Sequence, residues 1–451
     1  MRTFVFSLSV LLSAAAFAAK PTVSVTSTVQ NADGSLTVGY ELAGAPAIVC
    51  LDVLTNGVSV GGQNLRRASG DVNRLVADGH DFATPFAGTV RWYPFGTDLI
   101  RSGFVLDATV KAKVLAFPVD DPPDYMTVNL AVANSYSPTN LHKRGHGVRF
   151  YLNEAALPGG LESPCYRETT VVMRKLHAKD VVWRHGAPND NTWPGRNTVE
   201  FNFYMKFTND FYLAVFPTTH AQMMAWRGSD GATNRANYEK ASEFNAASSG
   251  QISYNTVRHS SSNSRTTRAT PTDSSALGIL RARIHVAFDL PTSLEWEFAC
   301  KAGTKGPLYN SDTWDLAKLD EIAWTINNQP KGADGKILSF THPVGLLKPN
   351  AWGFYDMLGN QWDLCRDFSP TASEQFNALK GKGWRPDDPA IDPVVLEVGS
   401  ASSSTNKCRM GGSYSESYVG QSRVSNRLNV PAPSGWAEVR LYCPAAGWCL
   451  N

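Results

Sequence analysis

A chain of 451 residues exceeds one average domain and accommodates about two or three. Hydrophobic residues make up 43% and charged residues 18%, which allows real cores and excludes wholesale disorder. With 42 basic and 40 acidic side chains the formal charge is 42 − 40 = +2, so no electrostatic case exists for nucleic acid or an anionic membrane as partner.

The N-terminus has the layout of an export signal over residues 1–18. Arg2 supplies a positive start, Phe4 to Ala15 form a short apolar run, and Ala16-Phe17-Ala18 is a small-x-small cleavage site. The run is shorter than the roughly 20 apolar residues needed to cross a bilayer, and no later segment reaches that length. The expectation is a secreted or periplasmic chain with no membrane span, starting near Ala19. Seven cysteines follow: Cys50, Cys165, Cys300, Cys365, Cys408, Cys443 and Cys449. Some should pair in an oxidising compartment, and the odd count leaves at least one over. None forms a C-x-x-C pair, so redox and zinc-ribbon readings find no support, and spacing does not give the connectivity.

Residues 19–118 read as an all-β module. Thr22 to Val29, Leu36 to Leu42, Ile48 to Leu54, Thr89 to Tyr93 and Asp107 to Phe117 are short runs rich in β-branched and aromatic residues. Asn31-Ala32-Asp33-Gly34 and Asn56-Gly57 punctuate them at the spacing of an immunoglobulin-like β-sandwich, without a Cys…Trp…Cys framework. Asp120-Asp121-Pro122-Pro123-Asp124 breaks the pattern, because proline removes a donor and forces extended backbone. Residues 119–164 then read as a connecting segment, with one more strand at Tyr125 to Leu130.

Beyond Cys165 the chain is rich in aromatics, glycines and polar inserts, notably Ser248 to Ser275, with little regular periodicity. Helical spacing shows at His220 to Trp226 and at Ser293 to Lys301. Thr292 is placed to cap the second helix, with Glu295 at the N3 position of a capping box.

Three stretches carry a resemblance. Phe288-Asp289-Leu290-Pro291-Thr292-Ser293-Leu294-Glu295-Trp296-Glu297-Phe298-Ala299-Cys300-Lys301-Ala302-Gly303-Thr304 is close to LPTEAEWEYACRAGT. His342-Pro343-Val344-Gly345, followed by Pro349-Asn350-Ala351-Trp352-Gly353-Phe354-Tyr355-Asp356-Met357-Leu358-Gly359-Asn360-Gln361-Trp362-Asp363-Leu364-Cys365, matches HPVG…PNAWGLYDMxGNVWEWC. Gly411-Gly412-Ser413-Tyr414 is the counterpart of RGGS[WY]. Val171 to Gly186 and Phe211 to Thr219 add weaker matches. In this order they identify residues 165 to about 445 as resembling the sulfatase-modifying factor, or formylglycine-generating enzyme, family.

The resemblance implies an α+β, loop-rich, C-type-lectin-like domain over residues 165–451. In active relatives two cysteines in a GGSY-x-C-x4-C arrangement bind copper(I) and, with oxygen, convert a cysteine of a C-x-P-x-R sulfatase peptide to formylglycine. Soft thiolates select that ion. Here the equivalent positions are Glu416 and Gln421, with Ser413 retained beside them, so copper is not expected. The resemblance also implies a structural calcium held by the carbonyls of Leu358, Gly359 and Gln361 and the side chain of Asp363. Hard oxygens of this kind suit calcium.

Other constellations have plainer readings. His142 and His146 have the first spacing of an H-x3-H-x-E iron set, but Val148 occupies the acidic place and a solvated loop accounts for them. Glu295 and Glu297 diverge by about 200° around a helix axis, so they read as a cap and an ion-pair partner. Trp324, Trp352, Trp362 and Trp436 read as buried anchors, or as a floor for a ligand where exposed. Gly411-Gly412 reads as a close backbone turn rather than a phosphate loop. The expected function is an exported family member that binds a peptide or protein, a sulfatase among them, or a glycan. An active sulfatase-modifying oxidase with an atypical site is the alternative, and whether the chain is an enzyme stays open.

Overall fold

The computed structural model describes residues 20–94, 107–131, 145–188, 193, 200, 202–227, 247–248, 252–258, 265–267, 269–333, 335–338, 340–369, 371–398, 405–435 and 437–450. The expected export signal, His142 and Trp436 lie outside these residues. The described structure is mostly β with few helices, and none of those helices is long and apolar enough to cross a membrane.

The N-terminal strands are β1 (Thr22–Gln30), β2 (Leu36–Ala43), β3 (Ala47–Thr55), β4 (Val58–Ser59), β5 (Ala68–Gly70), β6 (Arg74–Val76), β7 (Phe86–Trp92) and β8 (Val110–Pro118). One sheet runs β1-β2-β7-β5; the other runs β4-β3-β6, with β8 also on β3. Burial alternates strictly along most of β2, sending Leu36, Val38, Tyr40 and Leu42 inward against Val49, Leu51 and Val53 of the facing sheet. The two sheets face each other around this core. β1 is an edge strand, and all of its residues but Val23 are exposed. A register shift between Val25 and Ser27 interrupts its pairing, which discourages further strand addition. β3 is apolar on both faces for a physical reason. Ile48 and Cys50 leave the sandwich core and enter the core of the C-terminal region, where the Cys50 thiol points to the Phe150 carbonyl.

The stretch read as a connector supplies two strands to the main C-terminal sheet. β9 (Tyr125–Asn129) and β10 (Val148–Tyr151) join β11 (Thr170–Leu176), β14 (Phe211–Ala214) and β21 (Tyr442–Pro444) in the antiparallel order β10-β9-β11-β14-β21. Pro122 and Pro123 break the ladder before β9, yet their carbonyls are not wasted. The Lys175 ammonium donates to Pro122 and the Tyr212 hydroxyl to Pro123. Trp448 adds a third tie, its indole N–H donating to Val119 at 3.0 Å.

Smaller sheets complete the region. β12 (Trp183–His185) pairs with β13 (Phe203–Lys206), which pairs in turn with β18 (Ala390–Ile391), and β15 (Ala323–Trp324) pairs in parallel with β16 (Leu358–Gly359). β17 (Asp363–Phe368), β19 (Lys407–Met410) and β20 (Arg427–Val430) form the third. The Ser293–Lys301 helix starts at the expected capping box: Glu295 N–H donates to the Thr292 hydroxyl, and Thr292 N–H donates to the Glu295 carboxylate at 2.7 Å. Every residue of this helix is buried.

Its Glu297 ends in a dry polar network. The carboxylate accepts from Gly186 N–H and the Ser425 hydroxyl, both at 2.8 Å, and pairs with Lys301 at 2.8 Å. His185 Nδ1 lies 2.7 Å from the same carboxylate, while His185 Nε2 faces the Arg427 guanidinium at 2.6 Å. Arginine can only donate, so His185 Nε2 accepts and the ring is neutral with its proton on Nδ1. Burial pushes the His185 pKa down to about 4, against the pull of Glu297.

A depressed histidine pKa stabilises above the unfolded value and is lost on acidification. Between pH 6.5 and 4 the unfolded chain takes up a proton that native His185 refuses, a penalty on the order of 3 kcal/mol. Asp356, whose burial raises its pKa to about 6, acts in the opposite direction over part of this window. Comparison with His185→Gln isolates the histidine, since the amide can both accept and donate. Urea unfolding at pH 7 and pH 4.5 should show the wild type losing about 2–3 kcal/mol more than the variant. Equal losses would remove His185 as the acid-labile joint.

Candidate functional site

The candidate site begins where β19 leaves the core. Gly411 and Gly412 take φ values of 95° and 86°, in the region that favours glycine. A Cβ on Gly411 would lie 2.7 Å from the Met357 carbonyl, and one on Gly412 would lie 2.3 Å from Ser422 Oγ. The turn therefore needs both glycines. It is stitched to the 359–360 turn, since Gly359 N–H donates to Gly411 and Tyr414 N–H donates to Asn360, both at 2.9 Å. The Asn360 amide in turn accepts from His342 N–H at 2.9 Å and donates to the His342 carbonyl at 3.1 Å. The motif stretches thus meet as backbone joints.

Ser413 is buried, with its hydroxyl 3.4 Å from that of Ser415. The chain then surfaces: Ser415 and Ser417 are exposed, and the Tyr418 ring is 46% exposed. Glu416 is half-buried and committed, accepting from the Trp362 indole N–H at 2.6 Å. The Arg409 guanidinium lies 4.6 Å from the centre of the Trp362 ring, so Glu416, Trp362 and Arg409 form one assembly. Burial lowers the Arg409 pKa, and the Glu416 charge opposes that shift. Gln421 closes the short helical turn Val419–Gln421; its side-chain oxygen is buried without a partner, while its backbone carbonyl accepts from Asn426 at 2.8 Å. Ser413 and Glu416 share one turn; Glu416 and Gln421 are held by separate partners.

None of the seven cysteines is disulfide-bonded, so the pairing expected of an exported chain is not formed in this structure. Cys365 and Cys408, on neighbouring strands β17 and β19, are in hydrogen-bonding contact and fully buried. Burial, followed by the neighbouring Cys408 thiol, pushes Cys365 well above the usual thiol range. Cys408 also lies 3.9 Å from the Met410 sulfur. This sulfur pair is sealed in the core and disfavours the thiolate form.

The proposed calcium positions lie beside these joints. Leu358 and Gly359 are buried in β16, and the Gln361 side chain accepts from Trp362 N–H at 3.0 Å. Asp363 Oδ2 accepts from the Trp296 indole at 2.6 Å and from Arg440 Nε at 2.8 Å. Its other oxygen, Oδ1, is buried without a partner, as is Glu438 Oε1 on the adjoining bridge residue. Burial and then the Asp363 charge push the Glu438 pKa well above the carboxylate range. Among the described residues no three His, Cys, Asp or Glu side chains converge as a metal cluster. An ion here would rely on carbonyls together with the spare Asp363 oxygen, a donor set of hard oxygens that fits calcium in kind.

The sequence had pointed to Asp363 as a metal ligand, but its arginine partner 77 residues later was missed. A lone Arg in Val439-Arg440-Leu441 between apolar residues was the available signal.

A model of the sulfatase-modifying factor enzyme 1-like domain matches residues 205–434. The chain belongs to this family. The formylglycine-generating enzyme of Thermomonospora curvata is 30% identical over 162 residues, which cover 35% of this chain and 48% of that protein. A Bos taurus protein named inactive C-alpha-formylglycine-generating enzyme 2 is 30% identical over 97 residues, covering 21% and 32% respectively. The chain thus spans at most about half the length of these relatives. Among solved structures, Treponema denticola variable protein 1 matches with a TM-score of 0.43 and 19% identity, over 61% of this chain and 95% of that one.

The Arg440–Asp363 pair is the testable joint of this family domain. Arg440→Leu leaves the Asp363 carboxylate buried without its cation and should cost about 3–5 kcal/mol in urea unfolding. Adding Asp363→Asn to that variant should recover part of the loss. A neutral Arg440→Leu result would show that the pair does not anchor the domain.

Proposed function

We propose that this chain is a binding member of the family that has kept the scaffold and lost copper-dependent cysteine oxidation. The observation that carries this reading is the pair of occupants at the sulfur positions. Glu416 is tied to Trp362, and Gln421 is an amide. Neither offers the soft ligands that copper(I) selects, and the contacting thiols of Cys365 and Cys408 are shut in the core. The inactive designation of one relative is consistent with such a history.

The ligand we favour is a peptide held by the 413–421 turn. The turn presents exposed Ser415, Ser417 and Tyr418 around the anchored Glu416 carboxylate, a mix of hydrogen-bonding groups and one large ring suited to peptide recognition. The N-terminal sandwich, which we read as immunoglobulin-like, packs through Ile48 and Cys50 against the family domain and would hold it at a fixed attitude. We further read residues 1–18 as an export signal and the family domain as C-type-lectin-like. Calcium, when bound, would act as a structural cross-link through the carbonyls of Leu358, Gly359 and Gln361 and the spare Asp363 oxygen.

Incubating the protein with copper(I), air and a C-x-P-x-R peptide should leave the peptide mass unchanged. Conversion of its cysteine to an aldehyde would overturn the binding-only reading. In calorimetric titration the same peptide should bind saturably, and Tyr418→Ala should weaken it about tenfold, ~1.4 kcal/mol. Absence of saturable binding would sink the peptide assignment. For calcium, millimolar addition should raise the melting temperature of wild type and leave Asp363→Asn unmoved; equal shifts would locate any bound ion elsewhere.

A further inference from the structure

A cavity lies in a different part of the domain. Its volume is about 820 Å³, and none of its lining residues comes from the 411–421 turn. β12 and the C-terminal end of the Ser293–Lys301 helix supply its walls. Trp183, Phe298 and Trp352 form an aromatic floor: the Phe298 ring lies 5.3 Å from Trp183 and 5.0 Å from Trp352. Val181 and Val182 extend the apolar surface and are 42% and 41% exposed.

The charge of the lining is one-sided. Arg174, Lys175, Arg184, Lys301 and Lys305 all line the cavity, and among the described residues no carboxylate does. Three of these cations are already occupied. Lys175 pairs with Asp121, Arg174 donates to the Trp352 carbonyl, and Lys301 pairs with Glu297. Arg184 and Lys305 are exposed and have no acidic partner among the described residues. His177, also in the lining, is taken up by Asp124 and Asp210.

A second observation is independent of charge. The Trp183 indole N–H is buried and has no acceptor. A buried donor left unmade costs about 1–3 kcal/mol, and because Trp183 belongs to the cavity wall, a small shift of its ring would let a ligand acceptor relieve that cost. The wall itself is pre-set. Lys301 Nζ donates to the carbonyls of Arg184 and Gly186 at 3.1 and 3.0 Å, while Gly186 N–H donates to Glu297. Strand β12 is therefore fixed from beneath while the Arg184 side chain stays free above it, so little ordering remains to be done when a ligand arrives.

We propose that this cavity is a binding site for a small amphipathic anion. Its aromatic or aliphatic body lies on Trp183, Phe298 and Trp352, and its carboxylate, phosphate or sulfonate head meets Arg184 and Lys305. Its volume falls within the roughly 300–1,000 Å³ of small-molecule sites, and a mostly apolar wall with a few placed polar groups is their usual make-up. The site is separate from the peptide surface, so either can fail without the other.

Two fluorescent probes with the same body test it on the full chain. Anilinonaphthalene sulfonate carries the anionic head, and phenylnaphthylamine lacks it. The sulfonate should bind with one-to-one stoichiometry and at least about tenfold more tightly than the neutral probe. Arg184→Ala with Lys305→Ala, both at exposed positions, should weaken the sulfonate about tenfold and leave the neutral probe within about twofold. Trp183→Ala should weaken both probes. Raising salt should weaken only the sulfonate, since exposed charges are screened over about 10 Å at 0.1 M. Three outcomes overturn the proposal: equal affinity for the two probes, sulfonate binding that ignores the double substitution, or no stoichiometric binding. An unchanged melting temperature in the double variant rules out unfolding as the cause of any loss.

Discussion

The family domain depends on one buried guanidinium. Arg440 is fully buried and donates five hydrogen bonds: to Asp363, to the carbonyls of Ala214 and Val215, and to those of Tyr355 and Asp356. These acceptors belong to the end of β14, to the 355–356 loop and to β17, elements far apart in the chain. Burying a charge is expensive, and the cost is met only when every donor is satisfied and an opposite charge is near. A planar fork with five N–H groups can do this where a lysine could not. Neighbouring bonds extend the tie: Tyr355 N–H donates to Val215 at 3.0 Å, and the Asp356 carboxylate accepts from Gly345 N–H at 2.7 Å. A fold with short strands and long loops needs such nodes, because its loops have few ladder partners of their own.

The family motifs can be understood as parts of this joinery. His342 meets Asn360, Gly345 meets Asp356, Gly359 meets Gly411, and Trp296 meets Asp363. Gly359 illustrates how tight the meeting is. It has φ 72°, and an added Cβ would lie 2.4 Å from the Trp324 carbonyl. Residues of this kind answer to the needs of the scaffold rather than to the chemistry of the surface. The segment that follows, Ser415 to Gln421, is exposed at Ser415, Ser417 and Tyr418 and is tied back through the Glu416 side chain, so its chemistry and the joints answer to different constraints. Family membership and catalytic capacity are therefore separable in physical terms.

The same distinction decides what the sequence could disclose. Local signals were legible: the Thr292 capping box, the β-branched run at Leu36 to Leu42, and the turn at Asn56-Gly57 all depend on residues a few positions apart. The strands in the presumed connector were half legible. Tyr125 to Leu130 had β character, but Val148–Tyr151 became a strand only by pairing with it, across residues whose composition suggests a loop. Buried polar clusters were not legible. His185 and Glu297 meet across 112 positions, and Arg427 joins them from 130 positions beyond Glu297, so spacing gives no clue to the network. The aromatic floor of the large cavity was hidden for the same reason: Trp183, Phe298 and Trp352 converge only through the tertiary fold. Trp352, whose sequence reading is a buried anchor or a ligand floor where exposed, is half-buried in that wall.

The change at the sulfur positions is more than a deletion. Trp362 is a core residue whose indole N–H reaches the surface turn, and an indole can donate but never accept. Glu416 supplies a charged acceptor at 2.6 Å, and Arg409 over the ring balances that charge. A thiol at 416 would be a weaker acceptor and would leave both the N–H and the guanidinium under-served. The turn is thus anchored by an oxygen-based contact. Reintroducing sulfur by Glu416→Cys and Gln421→Cys would dismantle that contact before it could assemble a copper site. Glu416 is therefore committed to the scaffold through Trp362, two residues before the exposed Tyr418.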